Sequence, residues 1–188
     1  MKDAFVEKVK SLGAEIATEE SFQTKDVDFN TQLTNIKNSD ADCIFIPAYY
    51  TEVSYITKQA AEQGMKLPFL GGDGWDGVIE QVQDKAVIEG AIFLSPFLST
   101  NPDEKIQNFV KAYEAAYNAT PDQFAADGYD TVYTFKAAAE KAGNIKGDDL
   151  IAAMTQITVE GTTGTMTFTA DGEPNKDANY IVIKDGKY

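Results

Sequence analysis

Residues 43–47, Cys-Ile-Phe-Ile-Pro, form an apolar run that stops abruptly at Tyr49-Tyr50 and gives way to a helical pattern from Glu52. A short continuous apolar run, with no polar alternation, is what a strand buried in a parallel sheet looks like. Parallel neighbours need crossover connections, usually helices, so this run demands amphipathic helical segments on either side. The flanking sequence supplies them. A second strand of the same kind ends at Gly71-Gly72-Asp73-Gly74-Trp75-Asp76. In open α/β sheets, ligands sit outside the carboxyl ends of the strands. Two such ends carrying tyrosines, an aspartate and a tryptophan therefore suggest a small-molecule pocket.

Taken in order, residues 2–12 place Ala4, Phe5, Val6, Val9 and Leu12 at helical spacing, and Gly13 follows as a C-cap. Residues 14–21 alternate weakly and read as a short, partly exposed strand. Asp28 can N-cap a helix to about Asn38. The 43–47 strand, a helix over 52–64, a strand over 67–70, a short helix over 76–83 and a strand over 91–95 come next. This alternation argues for parallel βα units. A chain of that class beginning on a helix raises the expectation that an upstream strand belongs to the fold. Residues 96–102 carry two prolines, Pro96 and Pro102, and read as a crossing between lobes. Amphipathic helices are expected over 103–117, 124–142 and 147–156, and strands over 161–168 and 180–184, which need not pair. The expected division is 1–95, 96–178 and 179–188, the last returning to the first lobe. Residues 184–187 read as a solvated tail.

Composition excludes several functions. All 16 basic residues are lysine, against 30 acidic ones, giving a net charge of -14. Nucleic-acid binding wants a basic patch and is disfavoured. With no histidine, histidine-based catalysis and histidine-ligated metal are excluded. With no arginine, so is a bidentate guanidinium clamp on a carboxylate. The single cysteine, Cys43, lies in the apolar strand and reads as a buried thiol. No basic region followed by an apolar run marks a signal peptide at the N-terminus.

Tyr49 and Tyr50 are candidate aromatic walls of a binding site, or else a pair that anchors a helix. Asp73, set between glycines, can approach a ligand closely and suits an ammonium group; the plain alternative is an Asx turn. Trp75 covers a pocket or only lobe surface. The glycines do not make a phosphate loop, because the lysine and hydroxyl of that motif are missing and Asp73 and Asp76 would repel phosphate. No serine, threonine or cysteine nucleophile stands near a plausible base, so no catalytic residue, metal site or cofactor is expected and the chain does not read as an enzyme.

Residues 42–76, with Gly90-Ala91-Ile92-Phe93 and Phe124-Ala125-Ala126-Asp127-Gly128-Tyr129-Asp130, resemble the leucine/isoleucine/valine-type solute-binding proteins of ABC importers, which have the type I periplasmic-binding-protein fold. The likeness covers essentially the whole chain but only about the second half of a family member. It implies an α/β architecture of Rossmann-like parallel-sheet lobes that is incomplete. The opening strand of the C-terminal lobe and most of the N-terminal lobe are absent. It places Tyr49 against the ligand, Asp73 where an acid, often glutamate, pairs with the ligand's α-ammonium, and Phe124 at an aromatic contact from the other lobe. The partners it implies are an amino-acid ligand and ABC permease subunits, in an extracellular or periplasmic, lipoprotein-anchored setting. An incomplete sheet further implies a homodimer or strand exchange. A ligand-sensing domain of the same fold in a receptor or regulator is the alternative function.

Overall fold

A computed structural model describes all 188 residues, Met1–Tyr188. The chain divides into two compact units, Met1–Leu94 with Tyr180–Tyr188, and Ser95–Asn179.

The first unit is built on a sheet of strands β1 (Ile44–Ile46), β2 (Phe69–Gly71), β3 (Ile92–Ser95) and β7 (Asn179–Val182) in the order β1-β2-β3-β7. The first three run parallel, with Ile44 opposite Phe69 and Leu70 opposite Ile92. Beside them Ile183 donates its N–H to Ala91 and accepts one from Gly90. Helices α1 (Lys2–Ser11), α2 (Asn30–Lys37), α3 (Tyr50–Glu62) and α4 (Val78–Gln81) connect or flank the strands. Helix α3 turns Val53, Ile56, Thr57 and Ala60 inward. They join Ile44, Ile46, Phe69, Phe93 and Ile181 from the strands, and Phe29 and Leu33 beside and on α2, in one core. Each large side chain so buried contributes roughly 1.5–3 kcal/mol.

The apolar strands could have been covered on both faces, and only one is fully buried. On the other, Phe45 stacks on Phe5 of α1 with ring centroids 3.9 Å apart. Ile92 and Leu94 on that face stay 36% and 38% exposed, and α1 itself buries no residue. The expected strand over 14–21 does not form. A strand is stable only against a hydrogen-bonding neighbour, and β1, which ends the sheet order, pairs with β2 alone. Asp28 acts one residue away from the expected cap. The helix starts at Asn30, whose backbone N–H donates to the Asp28 carboxylate at 3.0 Å. That bond and one from the Asn30 side chain hold the Asp28 carboxyl below its usual range. Cys43 is half-buried and just outside β1. Partial burial, then the charge of Asp42, pushes its thiol pKa up.

The second unit packs α5 (Glu104–Tyr117), α6 (Gln123–Ala142) and α7 (Gly147–Met154) with a small antiparallel sheet of β4 (Val159–Gly161), β5 (Gly164–Phe168) and β6 (Pro174–Asn175). Phe97, Phe109, Val110 and Ala126 form its core. Asp103 and Asp122 cap α5 and α6, each accepting first-turn N–H bonds. The single strand expected over 161–168 is instead a tight hairpin, with Thr162-Thr163 at the bend between β4 and β5. Asp130 of α6 explains the bend. Its carboxylate is 2% exposed and accepts four hydrogen bonds, from the backbone N–H and hydroxyl of both Thr162 and Thr163, at 2.7–2.9 Å. Gly161 leaves the room: a Cβ there would collide with that carboxylate. No helix of the chain is long and apolar enough to cross a membrane.

Candidate functional site

The two strand ends meet in the first unit. After β1 the chain turns at Ala48 and Tyr49, and Tyr49 takes the extended N-cap position of α3, its carbonyl accepting the Val53 N–H at 3.0 Å. After β2, Gly72 leads into a single 3-10 turn, Asp73–Trp75. The turns touch through Gly74: a Cβ placed there would lie 2.6 Å from the Ala48 carbonyl oxygen and 3.2 Å from Tyr49 Cα. Only a glycine allows that approach. They are also tied by Trp75, whose indole N–H donates to the Ile46 carbonyl at 2.9 Å.

The expected site residues separate into different roles. Tyr49 is 63% exposed and Asp73 is exposed. The Asp73 carboxylate makes no hydrogen bond or ion pair with the protein. Tyr50 is half-buried in the first turn of α3. Phe124 is half-buried in the first turn of α6, in the second unit. Trp75 is corrected: it neither covers a pocket nor lies on a surface. It is 0% exposed, lies across Gly71 and sits between the rings of Phe69 and Phe93. A fully buried indole needs a partner for its N–H, and Ile46 provides it, so Trp75 supports the turn from beneath.

Asp76, the second acid of the stretch, is taken up by the fold. It is 3% exposed and accepts a 2.6 Å hydrogen bond from the Tyr188 hydroxyl, which in turn accepts the Gly77 N–H at 2.9 Å. The tail expected to be solvated is therefore anchored. Lys184 bridges to Lys187, and the Asp185 and Gly186 N–H groups donate to the Glu89 carboxylate. Tyr188 stands edge-on to Phe93 with ring centroids 5.3 Å apart. The aromatic residue among charged ones at 184–188 was the available signal for this anchor.

No group of three or more acidic or cysteine side chains is gathered closely enough to hold a metal ion. Open hollows of about 580 and 680 Å³ flank α5, the first lined by Asp103, Phe109 and Tyr129 among others, the second by Pro102, Val110 and Lys111 among others. Neither includes any of the five expected residues. Beside the first, the hydroxyls of Tyr129 and Tyr133 pair at 3.2 Å, which with partial burial pushes the Tyr129 pKa up.

The sequence matches the family model described as periplasmic binding protein over residues 1–187. This chain belongs to the periplasmic binding protein family. It is 26% identical to the "Leu/Ile/Val-binding protein homolog 1" of Brucella suis, over 100% of this chain and 52% of that protein. It is 24% identical to a leucine-, isoleucine-, valine-, threonine- and alanine-binding protein of Pseudomonas aeruginosa, over 88% of this chain and 44% of that one. Among solved structures it superposes on the leucine-binding LivK of Thermotoga maritima with a TM-score of 0.87 and 26% identity, covering 99% of this chain and 53% of that one. It superposes on the branched-chain amino acid transporter substrate-binding protein LivJ of Streptococcus pneumoniae, solved with isoleucine, with a TM-score of 0.81 and 34% identity, covering 95% and 53%. The expected α/β, type I periplasmic-binding-protein architecture is thus the one observed. The chain spans about half the length of the relatives it matches.

Proposed function

We propose that this chain supplies the ammonium-binding part of the site of a solute-binding protein of an ABC importer, with a branched-chain or other aliphatic amino acid as the solute. The observation that carries this reading is Asp73: an exposed carboxylate without a protein partner, on a turn packed against the one that bears the exposed ring of Tyr49. A carboxylate so placed suits an alkylammonium, and an adjacent ring attracts the same cation. The isoleucine in the pneumococcal LivJ structure supports the choice of solute. Tyr50 and Phe124 are assigned as further contacts to it. On this reading residues 1–95 and 179–188 belong to the C-terminal lobe without its first strand, and residues 96–178 to the N-terminal lobe. Permease subunits are the protein partners, and the location is periplasmic or extracellular with a lipid anchor. The chain transports no solute by chemistry and is not an enzyme.

The donors that would hold the solute's carboxylate are not assigned to any residue of this chain, so the 188-residue chain is expected to bind leucine or isoleucine weakly or not at all. Titration calorimetry giving micromolar affinity would overturn that. In a chimera whose preceding half comes from the pneumococcal LivJ, isoleucine binding is expected, and Asp73→Asn lowers affinity by about 30-fold or more, the cost of truncating a charged pair. An unchanged affinity in the Asp73→Asn chimera would refute the assignment.

The same reading gives a second copy of the chain as a partner. The outer edge of β1 is unpaired and Ile92, Leu94 and Val182 stay exposed; open edges and apolar faces template association. A dimer or strand-exchanged species is expected in light scattering, and a strictly monomeric chain would count against it.

A further inference from the structure

We propose that Tyr188 is a positioning residue for the Asp73 turn, and that its hydroxyl fixes the shape in which that turn presents its carboxylate. The proposal rests on the solute-binding reading above and adds a residue to it. The turn from Gly72 to Gly77 has weak internal support. Its own backbone bonds are those from the Trp75 N–H to Gly72 and from the Asp76 N–H to Asp73, both 3.2 Å long. Its far end, Gly77, has φ 92°, a left-handed conformation that residues with a Cβ rarely adopt, and from there α4 departs without a side-chain cap.

Tyr188 closes that far end. One hydroxyl serves two neighbours on the turn, donating to Asp76 Oδ1 at 2.6 Å and accepting the Gly77 N–H at 2.9 Å. The bond to Asp76 is short and charge-assisted, the stronger class of hydrogen bond. Asp76 is 3% exposed, and a buried carboxylate is held in place by donors such as this hydroxyl. The ring is fixed independently, edge-on to Phe93 of β3, and the tail that carries it is tied to Glu89. Trp75 holds the turn from the β1 side and Tyr188 from the opposite end of the chain, more than a hundred residues away in sequence. Asp73 lies just ahead of both ties in the chain and is linked to them through its carbonyl, which accepts the Asp76 N–H, while its carboxylate stays exposed.

Tyr188→Phe keeps the ring against Phe93 and removes only the bridging oxygen. In the 188-residue chain, amide exchange at Gly77 is expected to accelerate about tenfold or more, with Trp75 and Asp76 following, as the loss of a charge-assisted bond implies. Amides of α3 are expected to stay nearly unchanged even as the unfolding midpoint falls, which separates local positioning from general packing. Ending the chain at Lys187 removes the ring as well and should loosen the same amides further. In the chimera with the preceding half of the pneumococcal LivJ, with isoleucine as the probe in a nuclear magnetic resonance titration, Tyr188→Phe is expected to weaken binding by roughly fivefold, and to have no further effect once Asp73→Asn is present. Exchange rates at Gly77, Trp75 and Asp76 that match those of the parent chain would overturn the proposal. The exchange measurement needs no solute, so a parent chimera that fails to bind isoleucine strikes the solute assignment alone, and exchange then decides on Tyr188.

Discussion

Asp130 and Asp73 are two aspartates placed near glycines in two different units, and they have opposite surroundings. Asp130 is buried and fully occupied: four donors from Thr162 and Thr163 converge on it, and Gly161 gives way to let it in. Asp73 is exposed and unoccupied, although the turn around it is held by Trp75, by the contact of Gly74 with Ala48, and by Tyr188. A carboxylate that serves the fold is surrounded by protein donors. One proposed to serve a ligand, as Asp73 is, is left without them while its turn is secured. The difference separates the two roles more clearly than residue type or neighbouring glycines do.

Four substitutions in the folded chain would break or sharpen that contrast. The largest effect is expected at Asp130→Asn, which leaves buried threonine donors with a weaker acceptor and one N–H poorly matched. Denaturant unfolding should show a loss of about 3 kcal/mol, against a change within about 0.5 kcal/mol for Asp73→Asn. Equal losses would mean that Asp73 also serves the fold. Next come the glycines. Gly161→Ala forces a methyl against a fixed carboxylate and should cost about 2 kcal/mol. Gly74→Ala meets the Ala48 carbonyl 2.6 Å away and should cost about 1–2 kcal/mol while altering the emission of the single tryptophan. A Gly74→Ala chain with parental stability and emission would show that the two strand ends are not in firm contact.

The sequence made some of these features readable and hid others for identifiable reasons. Helix α5 was legible because Asp103 precedes a clean helical spacing of Ile106, Phe109, Val110, Tyr113 and Tyr117, and the structure caps it there. The positions of β1, β2 and β3 followed from continuous apolar runs, and the alternation of strands with helices led to the α/β architecture. The strand over 14–21 was misread because alternation reports a preference for the extended backbone but not the presence of a neighbour. Trp75 was misread because a large aromatic beside Asp73 looks the same in sequence whether its ring points out or folds back over Gly71. The links from Asp130 to Thr162 and from Asp76 to Tyr188 cross 32 and 112 residues. No local pattern encodes contacts of that separation.

The missing methyl at position 74 has a consequence for selectivity. With Gly74 seated on the Ala48 carbonyl and Trp75 bonded to Ile46, the loops after β1 and β2 have no slack between them. On the proposed reading, the ring at 49 and the carboxylate at 73 would act as the fixed jaws of a caliper. An amine would be gauged against a preset gap, and adapting the protein to a bulkier or smaller head group would require changing one of the jaws themselves.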